Sequence, residues 1–410
     1  MTGRDAAPRR DGSRRPGLHA VGALLIALSC APPAAADAAS AVTKTICPSG
    51  CDFQKLVPDA RDWFDAQVLT GSGRITLQLA DGVHEAADEF EVSDPKGGRL
   101  TIIGNCDAPS NTVLNFTNTA DNRGGFVARR GGAIGLVDCL VINGVGARGP
   151  GEAEWKRDHL GTGIHAFGSG AWVKVGPRTT VRDFYYSLFA DEGASIEGYG
   201  VRMENAGDCN LLARFNAHVR CLKCKAFSAG HRDTYRGAST VLGYNYMAEA
   251  GGSIRINEST GEGALVASVA AINNGAAWAH DYVGRTSRSG ALVFEKGSLE
   301  LDGAKLHDNV FGARGDTGGW LSLKYAEIYD NERDGVVANG SAAGVEWANI
   351  HDNGRGSGGH GIRVVNGGWV RGENTTLRDN ASGATYVEAT DQGCESSSGN
   401  CRPKSFLYLR

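Results

Sequence analysis

Asp191, Arg214 and Glu249 each follow a small residue, Ala190, Ala213 and Ala248, and are separated by 23 and 35 positions. An arginine between two carboxylates reads either as a salt-bridge ladder on a solvated sheet or as a charged groove that grips an acidic or polyhydroxylated chain. Three segments rich in His, Tyr and Arg lie nearby in the sequence and are expected to be insertions on a rigid scaffold. The first, 149–162, carries Lys156, Arg157, Asp158 and His159. The second, 225–245, carries His231, Arg232, Asp233, Tyr235, Arg236 and Tyr244, and the third, 257–290, carries Trp278, His280, Asp281, Tyr282 and Arg285. If the substrate is a uronic-acid polysaccharide, such residues could serve a β-elimination. Such a reaction needs a cation to neutralise the carboxylate, a base for the C5 proton and an acid for the leaving O4. Arg214 or Arg220 is the expected cation. His231 or Tyr235 is the expected base or acid, since His titrates near neutrality and Tyr does so when perturbed. His165, Asp191, Glu249, Arg232, Arg236, Tyr244, Trp278 and His280 are expected to bind substrate. Asp191 and Glu249 could instead hold Ca²⁺, or act as a hydrolytic pair, at two strand spacings or roughly 9.6 Å, the edge of the inverting range.

Placing such residues side by side requires a repeat, and the sequence has one. Segments 124–137, 163–175, 187–199, 210–222, 246–256 and 290–301 align on small anchors, Ala128, Ala166, Ala190, Ala213, Ala248 and Val293. Six residues on, each has an apolar partner: Ile134, Trp172, Ile196, Val219, Ile254 and Leu299. The anchors continue at Ala313, Ala338 and Val364. A second register places Asp-Asn pairs at 308–309, 330–331, 352–353 and 379–380, where Asn is expected to take the left-handed turn and stack as a ladder. Short apolar/polar strands between Gly and Asn corners, with no helical period, imply an all-β solenoid of coils of about 22–26 residues with parallel strand pairing. Its handedness should be right. One outward column then reads Arg129, Phe167, Asp191, Arg214, Glu249, Phe294, Arg314, Asn339, Val365; another reads Glu197, Arg220, Arg255, Glu300.

Composition agrees with this architecture. The 59 glycines among 410 residues are about twice the ordinary share, without a collagen period. A hydrophobic content of 41% excludes a disordered chain. A net charge of −4 argues against a nucleic-acid binder. Arg9, Arg10, Arg14 and Arg15, an apolar run from Val21 to Leu28 and Ala34-Ala35-Ala36 read as a secretory signal peptide over 1–38, with lipoprotein anchoring at Cys30 as a minor alternative. No stretch reaches membrane-spanning length. Export favours disulfides, and Cys47/Cys51 and Cys394/Cys401 are expected as local staples. The pairing of Cys106, Cys139, Cys209, Cys221 and Cys224 is left open, and an odd count leaves one thiol as a buried small hydrophobe.

Residues 52–66 read as an amphipathic helix capping the open end of coils over about 74–390, with a closed tail over 391–410. The stretch ITLQLADGVHEAADEFEV through GGRLTIIGN (75–105) resembles the opening coils of the pectin-lyase-like right-handed parallel β-helix superfamily. The resemblance implies a single-domain β-helix over the mature chain and leaves the chemistry open, because this fold hosts lyases, hydrolases, esterases, epimerases and non-catalytic fibres. Gly359-His360-Gly361 is similar to one step of the polygalacturonase signature, but its companion motifs are absent, so no catalytic residue carries over. The resulting expectation is a secreted or periplasmic polysaccharide lyase, with a glycan-binding or adhesin-like protein, a hydrolase or an epimerase as alternatives.

Overall fold

A computed structural model of the chain describes residues 41–50, 56–57, 59–117, 124–144, 161–233, 240–388 and 405–410. Each coil carries three short strands, and equivalent strands of successive coils pair in parallel to give sheets of 14, 12 and 12 strands. One full coil shows the order. Tyr186–Asp191 belongs to the second sheet, Ser195–Tyr199 to the first and Arg202–Glu204 to the third, before the chain re-enters the second sheet at Cys209–Arg214. The architecture is a right-handed parallel β-helix, as the periodicity predicts.

The small anchors stack in one inward column. Ala128, Ala166, Ala190, Ala213 and Ala248 are register partners in succession, and all are fully buried. Small side chains are needed here because the next turn folds back over them. The turn between the second and first sheets uses left-handed residues such as Glu295 and Lys296, then a glycine with no room for a side chain. A Cβ on Gly297 would lie 1.9 Å from the Ala271 carbonyl oxygen, and one on Gly275 would lie 2.2 Å from that of Ala248. Much of the glycine excess therefore marks close backbone approach at each coil.

Several expectations are corrected. Residues 257–290 are not an insertion: Ala267–Ile272, Ala276–His280 and Val283–Arg285 form a complete coil, with Ala271 between Ala248 and Val293. The partner of Val293 on the next rung is Gly315, not Ala313, so Asp316 and not Arg314 shares a rung with Asn339. Trp172 points outward; Val173 is the core residue paired to Ile134 and Ile196, because the preceding turn is one residue longer. In the ladder turns Asp308, Asp330, Asp352 and Asp379 take the left-handed conformation. The following asparagines turn inward and bond coil to coil, Asn331 to Asn353 at 2.8 Å and Asn353 to Asn380 at 2.9 Å.

The helix spans Asp59–Thr70 rather than 52–66. Its buried Ala60, Phe64 and Val68 join the coil core, the Phe64 ring 6.3 Å from Phe90. The segment Phe406–Leu409 adds a last strand to the first sheet beside Trp369–Glu373, where only a closed tail was expected. Disulfides join Cys106 to Cys139 and Cys221 to Cys224. Among the described residues Cys209 is a buried free thiol, and Cys47 is disulfide-bonded. Cys51, Cys394, Cys401, Cys30 and the 1–38 leader lie outside the described residues. No helix among the described residues is long and apolar enough to cross a membrane.

Candidate functional site

The residues singled out from the sequence separate onto two outer faces. His165, Asp191, Arg214, Tyr244 and Glu249 lie on the second sheet. Arg220, Trp278 and His280 lie on the first. The separation follows from the strand order within a coil: residues one position after the anchor and residues seven positions after it are on opposite sides of a turn.

On the second sheet, Asp191, Arg214 and Glu249 occupy consecutive rungs as expected. The Arg214 Nη2 donates to Asp191 Oδ2 at 2.8 Å, and Asp191 is almost fully buried. The guanidinium lies 5.0 Å from the Phe189 ring centre and 4.8 Å from that of Phe215. Its Nε is buried and has no hydrogen-bond partner among the described residues. His165 stacks on Phe189 with ring centres 4.8 Å apart, and its Nε2 is also buried without a partner. The same holds for the Nε of Arg129, whose guanidinium faces Glu89 at 3.5 Å and lies over Phe167. These three nitrogens, with Arg314 Nε farther along the same sheet, are a departure among the described residues from the rule that buried polar groups are satisfied.

The electrostatics fit such a site. Burial, reinforced by Arg129 and Arg214, lowers the pKa of His165 to about 3, so the imidazole is neutral at ordinary pH. Desolvation, together with Asp208 and Cys209, raises the Tyr186 and Tyr244 phenols and keeps both protonated. The Arg214 pKa is raised: desolvation opposes the shift, but the bond and charge of Asp191 outweigh it. Perturbed groups of this kind concentrate at functional sites. They sit among an outward apolar patch of Phe189, Leu212, Met247 and Ala270 that is at most 5% exposed.

The insertion within 225–245 is smaller than expected. Lys225–Phe227 is an ordinary third-sheet strand, and the inserted element is an antiparallel hairpin, His231–Asp233 paired with Thr240–Leu242. It leads directly into the second-sheet strand Tyr244–Glu249. His231 and Arg232 are therefore on the hairpin beside this face, while Tyr235, Arg236 and most of the 149–162 insertion lie outside the described residues. Arg129, Tyr186 and Cys209 were not among the predicted site residues. Arg129 was legible as the first member of the Asp191 column, whereas nothing in the repeat distinguishes Tyr186.

The Ca²⁺ expectation does not fit the donors. Asp191 accepts from Arg214 and from the Glu192 amide at 3.0 Å, and the guanidinium occupies the rung between the two carboxylates. No group of three or more metal-ligating side chains occurs among the described residues.

The outer face of the first sheet is different in kind. Its central column, with the missed coil restored, reads Lys174, Glu197, Arg220, Arg255, Trp278, Glu300. It borders an open trough of about 510 Å³. His280 lies farther along, 3.6 Å from Asp302. Tyr282 is wholly buried in the coil interior against Tyr246, and Arg285 pairs with Glu262 at 2.8 Å on the third sheet.

No protein-family model and no curated protein matches the sequence. Among solved structures, the chain is similar to the catalytic unit of a thermostable GH87 alpha-1,3-glucanase from Streptomyces thermodiastaticus strain HF3-3. The TM-score is 0.60 at 12% identity, covering 91% of this chain and 69% of that one. It is also similar to the Agl-KA catalytic domain, with a TM-score of 0.51 at 13% identity over 91% and 70% of the two chains. The pectate lyase Pel9A aligns with a TM-score of 0.41 at 9% identity over 88% and 82%. At these identities the likeness is one of fold, and the fold is the parallel β-helix.

Proposed function

We propose that this chain is an exported enzyme that cleaves an acidic, uronic-acid-containing polysaccharide by β-elimination at the outer face of the second sheet. The observation that carries the reading is the convergence there of three buried, partnerless nitrogens, Arg129 Nε, His165 Nε2 and Arg214 Nε. A carboxylate and its neighbouring hydroxyls would satisfy them. Arg214 keeps one edge on Asp191 and offers its Nε to the uronate carboxylate, a charge-assisted bond that stabilises the enolate-like charge formed when the C5 proton leaves. His165, neutral at working pH, exchanges a hydrogen bond with a sugar hydroxyl. His231 of the hairpin, or Tyr235 of the 225–245 segment, takes the C5 proton. The C5–H electron pair then forms the C4=C5 double bond as the C4–O4 bond breaks. Tyr244, held protonated, supplies the proton to the leaving O4. Export is supported by the disulfides Cys106–Cys139 and Cys221–Cys224, since such bonds persist in oxidising compartments. The similar fold with a TM-score of 0.60 belongs by name to an alpha-1,3-glucanase, which supports a sugar polymer as the substrate.

The test is incubation of the mature protein with pectate, alginate, glycosaminoglycans and glucuronans, with and without Ca²⁺, while following the ultraviolet absorbance of unsaturated uronates. New absorbance that disappears in Arg214→Ala supports the reading. Shorter chains without absorbance would make the protein a hydrolase, and C5 hydrogen exchange without cleavage would make it an epimerase. Binding without either would leave a lectin-like protein.

A further inference from the structure

The trough on the first sheet has features that the second-sheet chemistry does not use. Its floor is made by strands whose first outward position is small, Ser195 and Ser253, with His218 between them hydrogen-bonded to Ser253. Trp172 closes one end and Trp278, 42% exposed, the other. Register places these two indoles four rungs apart, roughly 19 Å at the usual strand spacing. Trp172 is seated over Gly98, where a Cβ would come within 2.8 Å of the indole. Its ring therefore has a fixed place rather than a loose surface position.

The charge of the trough runs against that of the chain. Lys174, Arg220 and Arg255 line it against the single carboxylate of Glu197, a local balance of +2 in a protein of net −4. Glu197 is matched by Lys174 at 3.3 Å. Arg220 and Arg255 are direct register partners, like charges on neighbouring strands, and neither has an ion pair among the described residues. A solvated ladder would alternate signs to gain the cross-strand attraction. This one places two free guanidiniums side by side between two flat aromatic rings.

We infer that the first-sheet trough is a second, non-catalytic binding site for a carboxylate-bearing polysaccharide. The chain would lie along the helix axis with sugar rings stacked on Trp172 and Trp278 and carboxylates on Arg220 and Arg255. Bidentate guanidinium–carboxylate geometry and aromatic faces are complementary to an anionic sugar polymer. The occupant is anionic because neutral sugars would leave the arginine pair uncompensated. This site does not depend on the chemistry of the second sheet.

The experiment is affinity electrophoresis of the mature protein in gels containing polygalacturonate, alginate or neutral dextran. Retardation by at least one anionic polymer and not by dextran is expected. The double variant Arg220→Gln/Arg255→Gln should weaken the apparent affinity at least tenfold, and Trp278→Ala should weaken it severalfold. Arg285→Gln, on the third sheet and outside both proposed sites, should retain it. Melting curves confirm that each variant is folded. Full retention by the folded double variant, equal retardation by dextran, or no retardation of the parent protein would overturn the assignment. Loss in Arg214→Ala alone would place binding on the second sheet. Retardation that persists in a protein without lyase activity leaves this site standing while the proposed function fails.

Discussion

The outer faces of the second and first sheets are built from the same coils, and they treat charge in opposite ways. On the second, Asp191 is almost wholly buried and held by Arg214, and His165 is desolvated to a neutral imidazole. On the first, Arg220 and Arg255 stand in an open trough. Buried polar groups carry large penalties when a partner is lost, whereas exposed ones contribute little to stability and remain available to a ligand. A repeat fold can therefore devote one wall to pre-organised chemistry and another to adhesion, with the same backbone supporting both.

A variant that damages the shared frame should not discriminate between the walls. Asn331 is fully buried, accepts from the Asn309 amide at 3.0 Å and donates to Leu306 O and Asn353 Oδ1. Asn331→Ala leaves several of these groups unsatisfied inside the protein, at a cost of about 4 kcal/mol. Denaturant melts should show this loss, and binding on the first sheet and turnover on the second should fall together. Loss of only one would mean that the two walls are held by separate frames.

Removing a paired charge should separate them. Arg214→Ala strands the buried Asp191 carboxylate, and about 3 kcal/mol of stability is expected to go, towards the low end for a buried pair because the arginine keeps 30% of its exposure. Adding Asp191→Asn should restore much of that stability without restoring activity, as measured by melting and by uronate absorbance in parallel. Restored activity in the double variant would mean that Arg214 serves only to neutralise Asp191.

His165 gives the second wall a pH signature. Its folded pKa of about 3 lies below the ordinary value of 6.5, so the unfolded chain takes up a proton first as pH falls. The contribution is fully present above about 6.5 and is lost progressively down to about 3, at up to roughly 1.4 kcal/mol per pH unit. His165→Gln should flatten the melting temperature over this window. An unchanged slope would assign the acid sensitivity to the carboxylates.

The frame was legible and the division between walls was not. Ala128 through Ala248 and the Asp-Asn turns fix the period because burial and close turns admit only small or ladder-forming residues at those places. Ala271, an equally small residue, was lost among the alanines and glycines of 264–277, so a regular coil looked like an insertion and Trp278 dropped out of its column. Outward columns have no such constraint. A charge tolerated on one rung says nothing of which wall it faces unless the turn length is known, and the single extra residue before Val173 was enough to turn Trp172 the wrong way. The partnerless nitrogens of Arg129 and His165 depend on what packs against them, which no period encodes.

The smallest effect is also the one with an unusual sign. Because Arg220 and Arg255 are direct cross-strand partners of like charge, their repulsion should cost a few tenths of a kcal/mol in low salt. Arg255→Gln removes the repulsion without opening a cavity, since the side chain is exposed. The urea midpoint should therefore rise, by about 0.3 kcal/mol equivalent, in the variant that binds polysaccharide less well. The gain should shrink as salt screens the pair. A trough kept for binding predicts opposite signs for stability and affinity at this position. The same like-charge pair on a surface with no ligand predicts the gain in stability without the loss in affinity. If Arg255→Gln instead destabilises by more than about 0.5 kcal/mol, beyond the usual range for an exposed substitution, the guanidinium is packing on Trp278 as structure. The two walls would then differ less than their electrostatics suggest.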